Sequence, residues 1–215
     1  MSTHPTDRPL ADMRVTAYLP DHGRRGRARF ARWSVGEPDA AVALGLQRTW
    51  SPEAEGHPLP AGDYTVLLVD GAFSMCDAPF MLRNYVPFLE SAEGDILLTG
   101  LGLGCLVRGL LARPAVRSIT VVELHRDVID LIGPHHASAR VELIHADALV
   151  WAPPAGRRFD AAMLDITDDR DLVERLVEHH ASHVHALWPN PAELSDEPPG
   201  PDLAHLVAAA TGAVL

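Results

Sequence analysis

The residues best placed for chemistry begin with three glycines in the segment TGLGLGC, at positions 100, 102 and 104. They follow the apolar run DILL and precede CLVRGLLAR, whose apolar residues recur at helical spacing. Glycine allows positive φ and lets the backbone come close to a ligand. Gly100, Gly102 and Gly104 are therefore candidate binding residues between a strand and a helix. A tight structural connection is the alternative interpretation.

An acidic residue strengthens the binding interpretation. The next apolar run, SITVVEL, ends at Glu123 and Leu124, about 20 residues beyond the loop. A carboxylate at this distance accepts hydrogen bonds from ribose hydroxyls in nucleotide-binding α/β folds. The glycine loop and Glu123 together predict a site for a ribose-bearing cofactor. The alternative is that Glu123 is a surface carboxylate.

Further acids follow the later apolar runs. Asp147 and Ala148 come after VELIHA, and Asp165 comes at the end of FDAAMLDI, three residues before Asp168. Open α/β sheets bind ligands beyond the carboxyl ends of their strands, where these residues are expected. Asp165 could accept a proton from an amine if burial raised its pKa. Helix capping is the alternative role for Asp165 and Asp168.

A pair of histidines has a spacing that suits metal ligands. His179 and His183 stand four residues apart in EHHASHVH, which would place both on one face of a continuous helix. We expect the helix to end near Ala181, with His183 and His185 on the next strand. The sequence therefore predicts no metal site.

Other side chains near the predicted site have two interpretations. His125 and His145 flank the site and could act as bases or as packing residues. Cys105 opens the helix after the loop, where the helix dipole lowers the pKa of a thiol. A small residue is also needed there for close packing, and we favour that role over a nucleophile.

The elements that must position these residues alternate between strands and helices from Asp95 onward. This alternation and the continuous apolar strands are typical of a parallel sheet covered by helices on both faces. We predict an α/β fold with a Rossmann-like methyltransferase sheet, strand order 3-2-1-4-5, truncated at the C-terminus.

The chain before this sheet has a different pattern. RARFARWSV alternates at period two, and YTVLLVDG is a β-branched run that ends at an Asp-Gly turn signal. The segment APFMLRNYVPFLESA then places Tyr85 among apolar residues at helical spacing, which predicts one helix with Asp77 as its N-cap. We predict a mobile tail over 1–14, a small β-rich N-terminal element over 15–76 and the Rossmann-like domain over 77–215. Exposed strand edges of the small element could pair in a homodimer.

Composition narrows the partners. The 215 residues carry a net charge of −11, which disfavours nucleic acid, since nonspecific binding depends on Lys and Arg. The arginine-rich segment HGRRGRARFAR is the local exception. No stretch supplies the roughly 20 unbroken apolar residues of a membrane span, and the first residues lack the apolar core of a secretory signal. With only two cysteines, we predict a cytoplasmic protein without membrane partners.

The full pattern of glycines, Glu123, Asp147 and Phe159-Asp160 before an apolar strand resembles class I S-adenosylmethionine-dependent methyltransferases. More closely, LLVDGAFSMCDAPFMLRNYVPFL followed by DILLTGLGLG resembles the spermidine synthase-like branch of that superfamily. The resemblance covers roughly residues 64–170 and implies S-adenosylmethionine as cofactor.

The resemblance also implies roles for individual residues. Gly100, Gly102 and Gly104 would approach the methionine moiety, Glu123 would hold the ribose, and Asp147 with Ala148 would contact adenine. The Asp-x-x-Asp of the polyamine synthases is matched by Asp165 and Asp168, of which the first helps to deprotonate the attacking amine. Two positions depart from those enzymes, since Leu103 replaces an acid of their glycine loop and Ser74 replaces a Gln.

Three hypotheses follow for function. The first is methyl transfer from S-adenosylmethionine to a small molecule, and the second is aminopropyl transfer from decarboxylated S-adenosylmethionine. The third is a noncatalytic subunit that retains the fold for binding. A nicotinamide oxidoreductase is a further contender, because Gly100, Gly102 and Cys105 loosely match Gly-x-Gly-x-x-Gly/Ala.

Overall fold

The computed structural model describes residues 7–36, 60–166 and 170–189. Its first sheet is antiparallel and has the strand order β1-β2-β3-β4. The strands are β1 (His22–Arg25), β2 (Ala28–Val35), β3 (Gly62–Val69) and β4 (Ala72–Cys76). Asp70 and Gly71 join β3 to β4 with φ of +54° and +82°, the positive values of a two-residue type I′ turn. The predicted β-rich element and its Asp-Gly turn are confirmed.

Part of the segment 1–14, for which we predicted a mobile tail, lies within the described residues and is helical. Residues 7–13 form helix α1 (Asp7–Met13), and Met13 is fully buried. A Cβ added at Gly109 would lie 2.7 Å from Met13 Cγ, so the glycine leaves room for the methionine. The polar composition of this segment suggested a tail, although Leu10 and Met13 lie three residues apart on one helical face. Both residues pack on the core.

The second sheet is parallel and positions the candidate site. Its strand order is β7-β6-β5-β8-β9, which is 3-2-1-4-5 when counted within the sheet. The predicted Rossmann-like α/β fold is therefore confirmed. The strands are β5 (Gly94–Thr99), β6 (Val116–Glu123), β7 (Val141–His145), β8 (Phe159–Leu164) and β9 (Val184–Pro189). The predicted C-terminal truncation concerns residues 190–215, which lie outside the described residues.

Helices cover both faces of this sheet. Helix α4 (Cys105–Leu111) follows β5, α5 (Arg126–Ile132) follows β6, and α6 (Arg170–His180) joins β8 to β9. Two shorter helices, α2 (Pro79–Leu82) and α3 (Val86–Ser91), precede β5. None of the described helices is long and apolar enough to cross a membrane.

The hydrophobic core explains the apolar strands. Ile96 and Leu98 of β5 belong to one buried cluster, whereas Leu97 belongs to another, since successive strand residues point to opposite faces. The first cluster also contains Phe30 and Leu67 of the antiparallel sheet. The two sheets therefore share one core, and β5 is buried on both faces.

The segment after β4 forms two short helices where we expected one. Each helix has a proline in its first turn, Pro79 and Pro87, and a proline inside a longer helix would remove a backbone hydrogen bond. We also expected Asp77 to cap the helix, but Ala78 holds that position without a side-chain bond. Asp77 is instead fully buried, and its carboxylate accepts hydrogen bonds from the backbone N–H groups of residues 15, 16 and 65 at 2.7–3.0 Å.

Candidate functional site

The glycine loop turns the chain sharply between β5 and α4. Gly100, Gly102 and Gly104 have φ of +88°, +52° and +74°, values that side chains disfavour. Gly100 is also confined by its neighbour, because a Cβ there would lie 2.6 Å from the backbone oxygen of Asp165. The loop therefore needs glycine for both its conformation and its close approach to the end of β8.

Glu123 at the end of β6 holds this loop in place. Its Oε2 accepts a hydrogen bond from the N–H of Leu101 at 2.8 Å, and its Oε1 accepts one from the N–H of His125 at 2.7 Å. Glu123 is only 6% exposed. Each carboxylate oxygen has two lone pairs, so Glu123 can still accept bonds from a diol while its orientation stays fixed. The structure thus brings the predicted ribose acceptor against the predicted loop.

Asp147 and Ala148 lie in the loop after β7. Asp147 Oδ1 accepts the N–H of Leu149 at 2.9 Å, and its backbone oxygen accepts the N–H groups of Val150 and Trp151. Within the described residues, Asp147 Oδ2 and the N–H of Ala148 have no protein partner. One acceptor and one donor therefore stand on adjacent residues.

Leu124 belongs to the same edge of the sheet. Its side chain is 57% exposed, and its backbone oxygen lies 3.0 Å from Nε2 of His145. This contact links the loop after β6 to the end of β7. His145 and His125 thus each contact a candidate residue, His145 through the backbone oxygen of Leu124 and His125 through the carboxylate of Glu123.

Asp165 follows β8 and meets a residue that the sequence analysis did not single out for chemistry. The hydroxyl of Tyr85 donates to Asp165 Oδ2 at 2.5 Å, and the N–H of Asp165 donates to Thr99 Oγ1 at 3.0 Å. Tyr85 is buried, and its place on an apolar helical pattern had suggested a packing role. Asp168, the second predicted catalytic residue, lies outside the described residues.

The strand order explains why these groups converge. The chain leaves β5 toward β6 and β7 on one side and returns to β8 on the other side of β5. Ligands of open α/β sheets bind at such a switch point, beyond the carboxyl ends of the strands. The glycine loop after β5 and Asp165 after β8 lie at this point, with Glu123 and Asp147 beyond the neighbouring strand ends.

Met75 of β4 also contacts the glycine loop. The N–H of Leu103 donates to Met75 Sδ at 3.0 Å, and the same sulfur lies over Gly102. The antiparallel sheet therefore reaches the candidate site through Met75. Leu103, at the position of the acid in polyamine synthases, is fully buried in the core.

The histidine and cysteine candidates have structural contacts. His179 Nε2 lies 2.7 Å from the backbone oxygen of Trp151. Because α6 ends at His180, His179 and His183 do not lie on one face of a continuous helix, as a metal site with this spacing would require. No group of three or more His, Cys, Asp or Glu side chains within the described residues is arranged to hold a metal ion. Burial raises the pKa of the Cys105 thiol well above its ordinary value, which opposes a nucleophilic role.

His136 supports the glycine loop from behind and was not singled out in the sequence. Its Nε2 lies 2.9 Å from the backbone oxygen of Leu103, and its ring occupies the space beside Gly104. Desolvation lowers the pKa of His136 to about 4. A cleft of about 680 Å³ lies on the other side of this residue, between Arg25 and α5, and does not include the glycine loop.

Comparisons with known proteins agree with the predicted resemblance. The chain is 31% identical over 147 residues to the polyamine aminopropyltransferase of Mycobacterium tuberculosis, covering 60% of this chain and 28% of that protein. It is 32% identical over 88 residues to the polyamine aminopropyltransferase of Pyrobaculum arsenaticum, covering 36% of this chain and 30% of that protein. The chain thus spans less than a third of the length of these relatives. The resemblance to the spermidine synthase-like branch is confirmed.

No family model matches the chain. The crystal structure of spermidine synthase from Thermotoga maritima aligns with a TM-score of 0.46 and 13% identity, over 79% of this chain and 53% of that one.

Proposed function

We propose that this chain binds S-adenosylmethionine beyond the carboxyl ends of β5, β6 and β7 and transfers its methyl group to a small-molecule acceptor beside Asp165. One observation carries the proposal. The glycine loop, Glu123 and the Asp147–Ala148 pair lie along one edge of the sheet, and each offers groups that suit one part of an adenosyl ligand.

The base of the ligand fits the loop after β7. Adenine presents an amino donor at N6 beside an acceptor at N1, the pattern opposite to that of Asp147 Oδ2 and the Ala148 N–H. A carboxylate that accepts the amino group and an N–H that donates to N1 would together distinguish adenine from bases with the reverse pattern.

The sugar fits Glu123, whose carboxylate is already oriented by two backbone N–H groups. Ribose hydroxyls donating to its remaining lone pairs would leave those bonds intact. Gly100, Gly102 and Gly104 add no side chains of their own to the loop, beside which the rest of the ligand would lie.

The cofactor supplies an electrophilic carbon on a sulfonium, and displacement there releases a neutral thioether. The protein's main task is then to hold donor and acceptor in line, since alignment accounts for a large part of the rate of such a reaction. The ends of β5 and β8 are adjacent, so the donor and an acceptor at Asp165 would be neighbours.

An amine acceptor must lose a proton before or during attack. Asp165 could accept it, and the Tyr85 hydroxyl at 2.5 Å would orient the carboxylate and stabilise its charge. The proton would move from the acceptor nitrogen to Asp165, while the nitrogen–carbon bond forms and the carbon–sulfur bond breaks.

Aminopropyl transfer from decarboxylated S-adenosylmethionine is a second candidate, favoured by the relatives' names and by the position of Asp165. Against it stands Leu103, which is buried where polyamine synthases carry a loop acid. The two reactions share the adenosyl site and differ in the charged chain that the glycine loop must accommodate.

The test is a parallel calorimetric titration with S-adenosylmethionine, its decarboxylated form, S-adenosylhomocysteine, methylthioadenosine and NAD. We expect the tightest binding for S-adenosylmethionine and S-adenosylhomocysteine. Preference for the decarboxylated donor and methylthioadenosine would instead select aminopropyl transfer. Binding of NAD alone, or of none of the five, would contradict the proposal.

A substitution links the binding to the proposed site. Glu123→Ala removes the ribose acceptor and should weaken S-adenosylhomocysteine binding by about 1–3 kcal/mol. Glu93→Ala is the control, because Glu93 is an exposed acid before β5. Equal affinities of the two variants would reject the assignment of Glu123.

We also propose that the protein works in a reducing compartment such as the cytoplasm, which its two free and buried cysteines support. A homodimer through the edge strands β1 or β4 of the antiparallel sheet is a separate proposal. Light scattering of the purified protein tests it directly, and a monomeric mass at micromolar concentration would contradict it.

A further inference from the structure

Two histidines at the end of α6 and one in the turn after it contact or adjoin the loop formed by residues 147–151, and none of them belongs to the groups assigned to the ligand. We call His179, His180 and His183 the histidine cluster. His180 is fully buried and His183 is 8% exposed. His180 Nε2 lies 3.0 Å from the backbone oxygen of Ala148, and His179 Nε2 lies 2.7 Å from that of Trp151. The cluster therefore contacts two carbonyl groups of this loop.

The hydrogen bonds determine where the protons are. A backbone oxygen can only accept, so His180 Nε2 must carry a hydrogen and donate it to Ala148. In the neutral ring Nδ1 is then an acceptor, and it lies 2.7 Å from His183 Nε2. His183 must therefore donate to His180. Its own Nδ1 becomes an acceptor, 3.4 Å from the hydroxyl of Ser182.

This arrangement requires neutral rings, and their surroundings keep them neutral. Desolvation lowers the pKa of His180 to about 4, and His183 and His179 act in the same direction. Desolvation also lowers the pKa of His183, with smaller effects from His179 and Arg158. Near neutral pH the direction of the relay from His183 through His180 to Ala148 is therefore fixed.

The relay bears on the pair of groups assigned to adenine. The same residue, Ala148, carries the N–H that we assign to adenine, and its oxygen lies 3.0 Å from His180 Nε2. Fixing the carbonyl restricts the rotation of Ala148 and, through the neighbouring peptide, the direction of its N–H. His179 restrains the far end of the loop at Trp151.

We infer that His180, oriented by His183, is a positioning residue that sets the geometry with which Asp147 and Ala148 distinguish adenine from hypoxanthine. This inference rests on the proposed function, because it takes an adenosyl ligand as given. Hypoxanthine places an oxygen at C6 and a hydrogen at N1, so it would set acceptor against acceptor and donor against donor. That discrimination depends on the angles of the hydrogen bonds that Asp147 and Ala148 make to the base. The hydrogen bonds from His183 to His180 and from His180 to Ala148 control these angles.

The test compares dissociation constants for S-adenosylhomocysteine and S-inosylhomocysteine. The wild-type protein should prefer the adenine compound at least tenfold. His180→Leu removes both hydrogen bonds of the imidazole ring and should reduce this ratio at least fivefold, mainly by weakening the binding of S-adenosylhomocysteine. His180→Gln keeps one donor and one acceptor and should restore the ratio to within twofold of wild type.

His185→Leu is the matched control, because His185 is an exposed histidine on the adjoining strand, and its ratio should equal that of wild type. An unchanged ratio in folded His180→Leu would overturn the inference. If that variant does not fold, His183→Leu decides, with an expected reduction of two- to fivefold and no reduction as the contrary result.

The outcomes also separate this inference from the function on which it rests. A wild-type protein that binds neither compound contradicts both. A wild-type protein that binds both compounds equally contradicts the positioning role and leaves the adenosyl site standing.

Discussion

The two halves of the candidate site are built in different ways. In the proposed donor half, which consists of the glycine loop, Glu123 and the Asp147–Ala148 pair, the carboxylate of Glu123 joins two loops of one sheet by accepting the N–H groups of Leu101 and His125. Met75 adds one contact from the antiparallel sheet. In the acceptor half, Asp165 meets Tyr85 from a segment that precedes the whole parallel sheet. The orientation of Glu123 is thus a property of the βαβ units, whereas the Tyr85–Asp165 contact of the proposed acceptor half depends on how the segment before β5 packs against them. We therefore expect changes at Tyr85 to alter the proposed acceptor side without changing the contacts of Glu123.

Asp165→Asn should separate turnover from donor binding most strongly. The variant loses the proposed proton acceptor but keeps the shape of the side chain, so turnover of an amine acceptor should fall about 10²–10⁴-fold. Donor affinity should change less than twofold, as measured by calorimetry. Asp130→Asn, an exposed acid on α5, is the control. Loss of donor binding in Asp165→Asn would show that the halves are not separable.

The free energy of unfolding should depend on pH through two histidines that contact the proposed donor half. His136 and His180 are buried, and burial favours their neutral form. Their pKa values are lowered to about 4, whereas histidines in the unfolded chain titrate near 6.5. The unfolded chain therefore binds more protons between these values, and the free energy of unfolding should fall as pH decreases from about 6.5 to 4. Each histidine contributes on the order of 3 kcal/mol.

Denaturant unfolding across this range measures the effect. His136→Gln and His180→Gln should each flatten the dependence, because each removes one group whose proton binding differs between the two states. A wild-type protein whose stability is constant from pH 6.5 to 4.5 would show that these rings are accessible to protons when folded.

Gly100→Ala tests the point where the halves touch. The added Cβ would meet the backbone oxygen of Asp165 at 2.6 Å and would also strain a backbone with φ of +88°. We expect at least tenfold weaker binding of S-adenosylhomocysteine and a loss of about 2–4 kcal/mol in stability.

Gly156→Ala is its matched control, with φ of +84° and no atom within 4 Å of the added Cβ. It isolates the backbone strain, expected at about 1–2 kcal/mol, and should leave ligand affinity unchanged. Equal stability losses in the two variants would mean that the contact with Asp165 relaxes at no cost.

The smallest expected effect comes from Tyr85→Phe, which removes the hydroxyl that orients Asp165. Turnover should fall about tenfold, equivalent to the 1.4 kcal/mol of a single charge-assisted hydrogen bond. Tyr64→Phe likewise loses one hydrogen bond, from its hydroxyl to the backbone oxygen of Pro60, but in the antiparallel sheet. If the two variants retain equal turnover, Tyr85 has only a packing role.

The sequence predicted where the glycine loop, Glu123 and Asp147 lie in the fold, but not the contact that Asp165 makes with Tyr85, and the reasons are physical. The roles of these residues in binding and catalysis stay predictions. Glycine spacing and an acid at a strand end are local signals, so Gly100, Glu123 and Asp147 could be placed before any tertiary contact was known. Tyr85 contacts Asp165 across 80 residues, and its apolar ring fits a helical pattern that suggests packing. His180 was overlooked for a similar reason, since its contacts with His183 and Ala148 exist only once α6 has ended and the loop after β7 packs against it.

Helix α1 and Asp77 were misjudged because their roles depend on burial. An acid before a proline-containing segment suggests a cap, yet burial beside the chain at residues 15 and 16 makes Asp77 a hydrogen-bond acceptor for distant backbone groups. Fold class was predictable because it depends on the order of elements, which these local errors do not change.

The Asp77 carboxylate also places a constraint on how the chain is made. Its partners at residues 15 and 16 are separated from it by 62 and 61 positions. At 5–20 residues per second, a ribosome needs about 3–12 s to synthesise the intervening segment. Throughout that interval the backbone N–H groups of residues 15 and 16 cannot donate to the Asp77 carboxylate, because Asp77 has not yet been synthesised. The start of the chain therefore cannot complete its own hydrogen bonds until Asp77, the residue after β4, has been translated.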